Sequence, residues 1–405
     1  MSLYEDLKWR GLIDNISSPA LIDKLNEGGL TFYIGTDPTG DSLHIGHYST
    51  VISLSKRLQD AGHKPIIIAG GGTGLIGDPK PNAERAMITK EEVLYNIEKI
   101  KSQIDRLLKS DIKLINNYDW LGNMGAIDFL RDYGKFFNIN YMLAKDTVKK
   151  RLDIGITYTE FSYMILQSID YLKLYENYNC NLQIGGSDQW GNITSGLELI
   201  RKVHGVNTEC YGLTAPLIVK ADGTKFGKTE SGKSIWLDKD KTSPYEMYQY
   251  FINVEDSIVI DYLKKLTFLS KEEIEKLESK LKNEPEKREA AKALAFEIVK
   301  FIHGEKDAIE AQLTSEEVFK NGGVSSNMPV IILSKDEVNN ISIIDLLVLT
   351  RILPSKSEAR RLVEQNGIKL NGEIVTINTV IDQEMFNSDV VISKGKKYFV
   401  KLELK

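Results

Sequence analysis

The chain has 405 residues, 42% of them hydrophobic, and a formal net charge of −5, with a pI near 5.8. That length accommodates about two to three domains with cores of their own. The mild acidity excludes an overall basic field, so any nucleic-acid contact has to come from a local patch. Cys180 and Cys210 lack companions and metal-ligand spacing, which excludes a disulfide framework or structural zinc and fits a reducing compartment. The opening residues are charged, without an apolar h-region, and no later run reaches membrane-spanning length, so the expected location is cytoplasmic, with no membrane partner.

In chain order, the spacing predicts two short helices, Leu3 to Arg10 and Pro19 to Asn26, ended by Gly28-Gly29. A β-prone run from Thr31 to Ile34 follows and is expected to end at Gly35, and an amphipathic pattern runs from Thr50 to Leu58. Between them lies Asp37-Pro38-Thr39-Gly40-Asp41-Ser42-Leu43-His44-Ile45-Gly46-His47, a strand-to-helix crossing with two histidines three apart. Residues three apart share a face of the first helical turn, where unpaired N–H groups favour an anion, so the two imidazoles can donate to a phosphate. An exposed pair on an ordinary helix is the plainer alternative. Pro65 to Ala69 reads as a second buried strand, completing a right-handed β-α-β unit whose carboxyl end faces the same crevice. The glycine-dense turn Gly70 to Asp78 either allows tight packing or brings backbone to a ligand, and the Asp78 carboxylate suits a ligand ammonium group.

Lys80 to Met87 is polar, with Arg85 able to reach phosphates, and Thr89 to Glu92 opens a helix with Val93, Ile97, Ile100, Ile104 and Leu107 on its core face. Lys113 to Asn116 reads as a strand, and Phe129 to Lys150 as helical and mixed. In the helical run from Tyr158, Tyr163, Gln167 and Asp170 recur at i, i+4 and i+7, one polar stripe among apolar neighbours. Asn181 to Ile184 is a strand expected to end at Gly185-Gly186-Ser187-Asp188-Gln189, with Asp188 suited to ribose hydroxyls. Pro216 to Val219 is expected as one more strand. After it, Lys225-Phe226-Gly227-Lys228-Thr229 offers two lysines as a flexible clamp for phosphates, or else an ordinary solvated loop.

Residues 231–325 read as helical, with a capping box at Ser270 to Glu273. The stretch 326–340 is the expected linker. Residues 341–405 hold 10 Lys and Arg against 8 Asp and Glu, net +2 against −7 for the remainder, which marks a separate module. In it Ser355 caps a helix displaying Arg360 and Arg361, Asn371-Gly372 signals a hairpin, and Lys356, Lys394 and Lys396 add candidate phosphate contacts.

His44-Ile45-Gly46-His47 after a strand resembles the HIGH signature of class I aminoacyl-tRNA synthetases, and Tyr33 to Thr39 is similar to their tyrosine-specific branch. Lys225 to Thr229 resembles the second signature, KMSKS, in the variant of bacterial tyrosyl-tRNA synthetases. The resemblance implies an α/β architecture: a Rossmann-like parallel-sheet catalytic domain over residues 1–230, a helical tRNA anticodon-arm domain over 231–325 and, beyond the linker, a small α+β S4-like RNA-binding domain. It implies activation of L-tyrosine with Mg-ATP to tyrosyl-adenylate and transfer to tRNA for tyrosine, by a homodimer whose interface includes the region of Tyr158, with no tightly bound cofactor and no protein-held metal. The implied catalytic residues are His44, His47, Lys225, Lys228 and Thr229. Tyr33, Asp78, Tyr163, Gln167, Asp170 and Gln189 are implied for tyrosine. Gly35, Asp37, Thr39, Gly46, Thr50, Arg85, Gly186, Asp188, Phe226 and Gly227 are implied for ATP. Tryptophanyl synthetases share both signatures, and Tyr33, Asp170 and the S4-like tail argue against them. A non-catalytic RNA-binding descendant is opposed by the intact histidines and lysines.

Overall fold

In a computed structural model of the chain, the described residues are 1–77, 88–109, 112–152, 155–224, 226–229, 232–320, 330–395 and 398–405, excluding the side chains of 146, 147, 150 and 318–320. Asp78, Arg85, Lys225, Lys396 and positions 326–329 of the expected linker lie outside them. Two units divide the chain, Met1–Phe226 with Lys264–Leu266, and Gly227–Leu263 with Thr267–Lys405.

The first unit is built on six strands: β1 (Asn15–Ile16), β2 (Thr31–Thr36), β3 (Lys64–Ala69), β4 (Lys113–Asn116), β5 (Leu182–Gly186) and β6 (Tyr211–Ala215). Their order across the sheet is β1-β6-β5-β2-β3-β4, with β1 antiparallel and all other pairs parallel. The chain moves outward from β2 through β3 to β4, then returns to β2's other side with β5. In such a sheet the reversal leaves a crevice outside the carboxyl ends of the two central strands, here β2 and β5. The near-continuous apolar burial of β3 and β5 follows from helices covering both faces.

Several boundaries differ from the sequence expectation for identifiable reasons. Strand β2 runs through Gly35 to Thr36, because Gly35 pairs with Ile68 in the backbone ladder and does not take positive φ. Gly185 and Gly186 likewise stay inside β5, paired with Thr214 and Ala215. The strand expected at Pro216 to Val219 is instead β6, which ends at Ala215. Its signal is muted by Gly212, whose missing side chain makes room for Ile193 of the helix Trp190–His204. The segment after His47 is helical, but Tyr48–Leu54 is wound as a π-helix before α-helix resumes at Ser55–Asp60.

The helix Tyr158–Tyr178 starts with a capping box between Thr157 and Glu160. Glu160 also receives both guanidinium arms of Arg151, at 2.8 and 2.9 Å, and both residues are buried. One carboxylate therefore satisfies the helix start and the preceding helix, Asp146–Leu152, at once.

In the second unit the helices Pro244–Ile252, Lys271–Asn283, Glu289–His303 and Glu305–Lys320 bear out the helical reading, and the Ser270 capping box forms with both of its bonds. The expected linker is corrected in part. Val330–Leu333 is a strand, β7, paired in parallel with the last strand, and Lys335–Val338 is a 3₁₀ turn. The remaining strands are β8 (Ile341–Ser342), β9 (Ile368–Leu370), β10 (Glu373–Ile374), β11 (Val380–Ile381), β12 (Val390–Lys394) and β13 (Tyr398–Leu404). They form a sheet ordered β10-β9-β12-β13-β7 and a β8–β11 pair. Asn371 and Gly372 both take positive φ, 49° and 87°, as a two-residue hairpin turn requires.

Removing Glu160 takes both charge-assisted bonds from the buried Arg151 guanidinium, which keeps its bonds to Gly155 O. Glu160→Ala is expected to destabilise the first unit by about 3–5 kcal/mol, the usual cost of breaking a buried pair from one side. Urea unfolding of the variant measures it, and a loss below about 1 kcal/mol would place the pair among exposed bridges.

Candidate active site

Around β2, the helix Tyr158–Tyr178 and the turn after β5 the structure brings together most of the described residues expected for tyrosine. Tyr33 leaves β2 with its ring 5.3 Å from that of Tyr171. Its hydroxyl is buried without a hydrogen-bond partner among the described residues, and burial raises its pKa well above the ordinary phenol range, with Asp170 adding to the effect. Such a group needs a partner, since an unmet buried hydroxyl costs about 1–3 kcal/mol. Asp170, 3% exposed, accepts from Asn117 Nδ2 at 2.9 Å and from Trp120 Nε1 at 2.8 Å. Burial pushes its carboxyl up to about 7, against the opposing pull of those two donors. Each carboxylate oxygen has two lone pairs, so two bonds leave capacity for a ligand O–H.

The same network continues through the site. Asn117 accepts from the Gly72 N–H at 2.7 Å and donates to Thr73 Oγ1 at 3.1 Å. Thr73 donates to Asp37 Oδ1 at 3.0 Å, and the Tyr163 hydroxyl donates to Asp37 Oδ2 at 3.1 Å. Asp37, grouped with the nucleotide contacts on sequence, is thus bonded to a residue assigned to tyrosine. Beside this chain, Gln167 Nε2 donates to Gln189 Oε1 at 3.2 Å, and Asn192 donates to both glutamines. Asn117 and Trp120 are absent from the sequence reading, and Thr73 and Asn192, which lie inside its glycine-rich motifs, carry no assigned role in it. Asn117 had one usable signal: a polar residue just past the end of a parallel strand faces the ligand crevice.

His44 and His47 stack with ring centroids 3.8 Å apart and planes at 14°. His44 Nδ1 accepts the Gly46 N–H at 3.0 Å, and His47 Nδ1 accepts the His44 N–H at 3.3 Å. With each Nδ1 acting as an acceptor, each ring carries a proton on Nε2. A Cβ on Gly46 would lie 2.8 Å from the His44 ring, so this glycine is required by the histidine itself. The turn after β3 is similar: side chains on Gly70 and Gly71 would strike Asp37, Thr73 and Asn116. Those glycines serve packing, one of the two alternatives the sequence leaves open. A Cβ on Gly35 meets only open space, whereas one on Gly186 would strike Asp188. Asp188 and Thr39 are exposed, and Thr50 is half-buried.

In the second unit Gly227, φ 94°, opens a hairpin. The Ile235 N–H donates to Gly227 O at 3.1 Å, the Thr229 N–H to Lys233 O at 2.9 Å, and the Lys233 N–H to Thr229 Oγ1 at 3.1 Å. Lys228 is exposed and bridged through its backbone to Ser234, while Phe226 is buried in the first unit. Of the expected RNA contacts, Lys356, Arg360 and Arg361 are exposed, with Lys356 paired to Asp345 at 2.6 Å. Lys394 instead lies half-buried over the Tyr398 ring, 5.3 Å from its centroid. Among the described residues no group of three or more His, Cys, Asp and Glu could hold a metal ion, and no helix is long and apolar enough to cross a membrane.

The family described as tRNA synthetases class I (W and Y) matches residues 25–320. Residues 320–402 match the one described as tyrosine–tRNA ligase SYY-like C-terminal domain. Tyrosine–tRNA ligase 1 of Bacillus subtilis is 49% identical over 419 residues, covering 98% of this chain and 99% of its own. Tyrosine–tRNA ligase of Geobacillus stearothermophilus is 48% identical over 418 residues with the same coverage. A C-terminally truncated Aspergillus nidulans mitochondrial tyrosyl-tRNA synthetase superimposes with a TM-score of 0.70 at 29% identity, over 78% of this chain and 94% of that one. A tyrosyl-tRNA synthetase from Archaeoglobus fulgidus, complexed with L-tyrosine, shares the fold at a TM-score of 0.57 and 16% identity, over 77% of this chain and all of that one.

The raised Asp170 pKa has a signed consequence for stability. From the ordinary value of 3.8 up to about 7, the folded protein keeps a proton that the unfolded chain has released. The stabilisation from this group is therefore complete below 3.8 and lost as pH rises through 7. Urea unfolding across that window is expected to show a one-proton slope, about 1.4 kcal/mol per pH unit, that Asp170→Ala lacks. Equal slopes in both proteins would mean that the carboxyl is ionised throughout.

Proposed function

The chain belongs to the class I tRNA synthetases of the tryptophan and tyrosine group, and on that footing we propose how its own residues divide the work of tyrosine–tRNA ligation. The enzyme uses ATP and takes tyrosine and tRNA as substrates. The observation that carries the assignment of the pocket is the buried Tyr33 hydroxyl close to the doubly hydrogen-bonded Asp170. The phenol of tyrosine donates to Asp170 and meets the Tyr33 hydroxyl. Its ammonium group is taken by Tyr163, Gln167 and Asp78, with Gln189 alongside. Gly35, Asp37, Thr39, Gly46, Thr50, Arg85, Gly186, Asp188, Phe226 and Gly227 are assigned to the nucleotide, Asp188 to its ribose.

Adenylate formation requires the tyrosine carboxylate to attack the α-phosphorus while negative charge grows on the departing pyrophosphate. The carboxylate is its own nucleophile, so the protein's task is stabilising that charge. The Nε2–H donors of His44 and His47 act on the phosphates, and Lys225, Lys228 and Thr229 of the second signature supply further charge and donors. Mg²⁺ enters with ATP as part of the substrate. The exposed apolar side chains Ile127, Leu130, Ile139, Leu152 and Tyr158 support a homodimer through this region of the first unit. The cytoplasm is the compartment that tRNA and two unpaired, buried cysteines both suit.

Contacts made only at the transition state appear in rate and hardly in binding. Lys228→Ala and His44→Ala are each expected to slow adenylate formation by roughly 10²–10³-fold, by analogy with single oxyanion-hole donors, while tyrosine affinity changes less than about threefold. Stopped-flow fluorescence separates the two quantities. Tyrosine affinity falling in step with rate would assign these residues to the pocket instead.

We further propose that Lys356, Arg360, Arg361, Lys394 and Lys396 serve the tail's RNA contacts, with Lys394 turning outward on binding. Because β7 pairs with β13, a clean truncation removes residues 330–405. It is expected to leave pyrophosphate exchange intact while tRNA charging collapses, and tRNA binding by the full chain should weaken steeply with salt. Normal charging by the truncated protein would exclude the tail as an RNA-docking module.

A further inference from the structure

The hairpin that carries Lys228 and Thr229 is fastened to a helix of its own unit at two points. Gly227 opens the hairpin, and its N–H donates to the Tyr250 hydroxyl at 3.2 Å. On the returning limb, Lys233 Nζ lies 3.2 Å from Glu246 Oε1. Glu246 and Tyr250 both belong to the helix Pro244–Ile252 and are four residues apart, so they share one face a turn from each other. Lys228 and Thr229 lie between the two fastened positions in the chain. The helix is itself held: its capping box joins Ser243 to Glu246, and Gln249 Nε2 donates to Ser315 Oγ at 2.8 Å. Glu246 uses Oε2 for the cap and Oε1 for Lys233, so the two tasks do not compete.

We infer that Tyr250 and Glu246 are positioning residues for adenylate formation, clasping both limbs of the hairpin so that Lys228 and Thr229 are presented in one conformation. The inference rests on the assignment of Lys228 and Thr229 to the phosphates. A loop that samples many conformations must be ordered at the transition state, and that ordering cost lowers the rate in proportion to the competent fraction. Gly227 has positive φ, which leaves its backbone unable to continue an ordinary ladder, so a side-chain acceptor for its N–H is a fixture of this turn.

The test uses full-length Tyr250→Phe, which removes one oxygen and keeps the ring packed against Phe251, and Lys233→Ala at the exposed end of the ion pair. Each is expected to slow adenylate formation by roughly fivefold, the population change produced by losing one ordinary hydrogen bond. Tyrosine affinity and melting temperature should stay at wild-type values. Tyr250→Phe is also expected to be nicked by trypsin at the hairpin lysines faster by a similar factor, a readout independent of catalysis. Wild-type rates in both variants, with Lys228→Ala slow, would overturn the clasp and spare the assignment of the loop. A wild-type rate in Lys228→Ala would overturn the assignment and the clasp together, as would a parallel loss of tyrosine affinity in Tyr250→Phe for the clasp alone.

Discussion

The Asp170 carboxylate is the constraint on which the site depends. A buried carboxyl left to itself becomes neutral, and a neutral acid is a poor fixed acceptor for a phenol. Asn117 and Trp120 work against that tendency by donating to both oxygens. Asn117 is in turn oriented by the Gly72 N–H and by Thr73, and Thr73 is bonded to Asp37, which Tyr163 also holds. Six side chains, from just past β2, the turn after β3, the residues following β4 and the long helix Tyr158–Tyr178, thereby form one hydrogen-bonded unit. In a low-dielectric interior such a unit is stiff when complete and costly when any member is missing.

This dependence explains the glycines better than ligand access does. Gly70 and Gly71 are needed because Asp37, Thr73 and Asn116 occupy the space a side chain would take, and Gly46 because the His44 ring does. Backbone and polar side chains approach each other closely around the crevice, and the ligand meets a surface already arranged. Preorganised donors of this kind stabilise developing charge without a reorganisation cost at the moment of reaction. The stacked histidines with both Nδ1 atoms engaged by backbone N–H groups follow the same rule.

Much of this was legible in the sequence, through two different routes. Periodicity and capping located most strands and helices, including the stripe of Tyr163, Gln167 and Asp170 on one helix face, and the two signatures pointed to the family. What escaped was set by tertiary contacts. Gly35, Gly185 and Gly186 read as strand breakers, yet a ladder is made by backbone, and these glycines take extended φ. Strand β6 is disguised by Gly212, whose smallness answers to Ile193 nineteen positions earlier in the chain. Trp120, in the four-residue helix Tyr118–Leu121, and Asn117, just before it, lie about fifty residues from Asp170 with no periodic pattern to read. The four apolar residues of β7 read as part of a linker because their partner, β13, is the last strand of the chain.

The central claim is that the pocket recognises its amino acid through a buried, oriented acceptor. Its most direct test is the ratio of kcat/KM for tyrosine and phenylalanine in pyrophosphate exchange by the unmodified enzyme. A pocket that discriminates by apolar fit alone manages roughly 10–200-fold, whereas one built to bond a hydroxyl leaves buried groups unpaired when the hydroxyl is missing and exceeds that range by orders of magnitude. The account predicts a ratio well above that ceiling without any editing step. A ratio within the apolar range would contradict it.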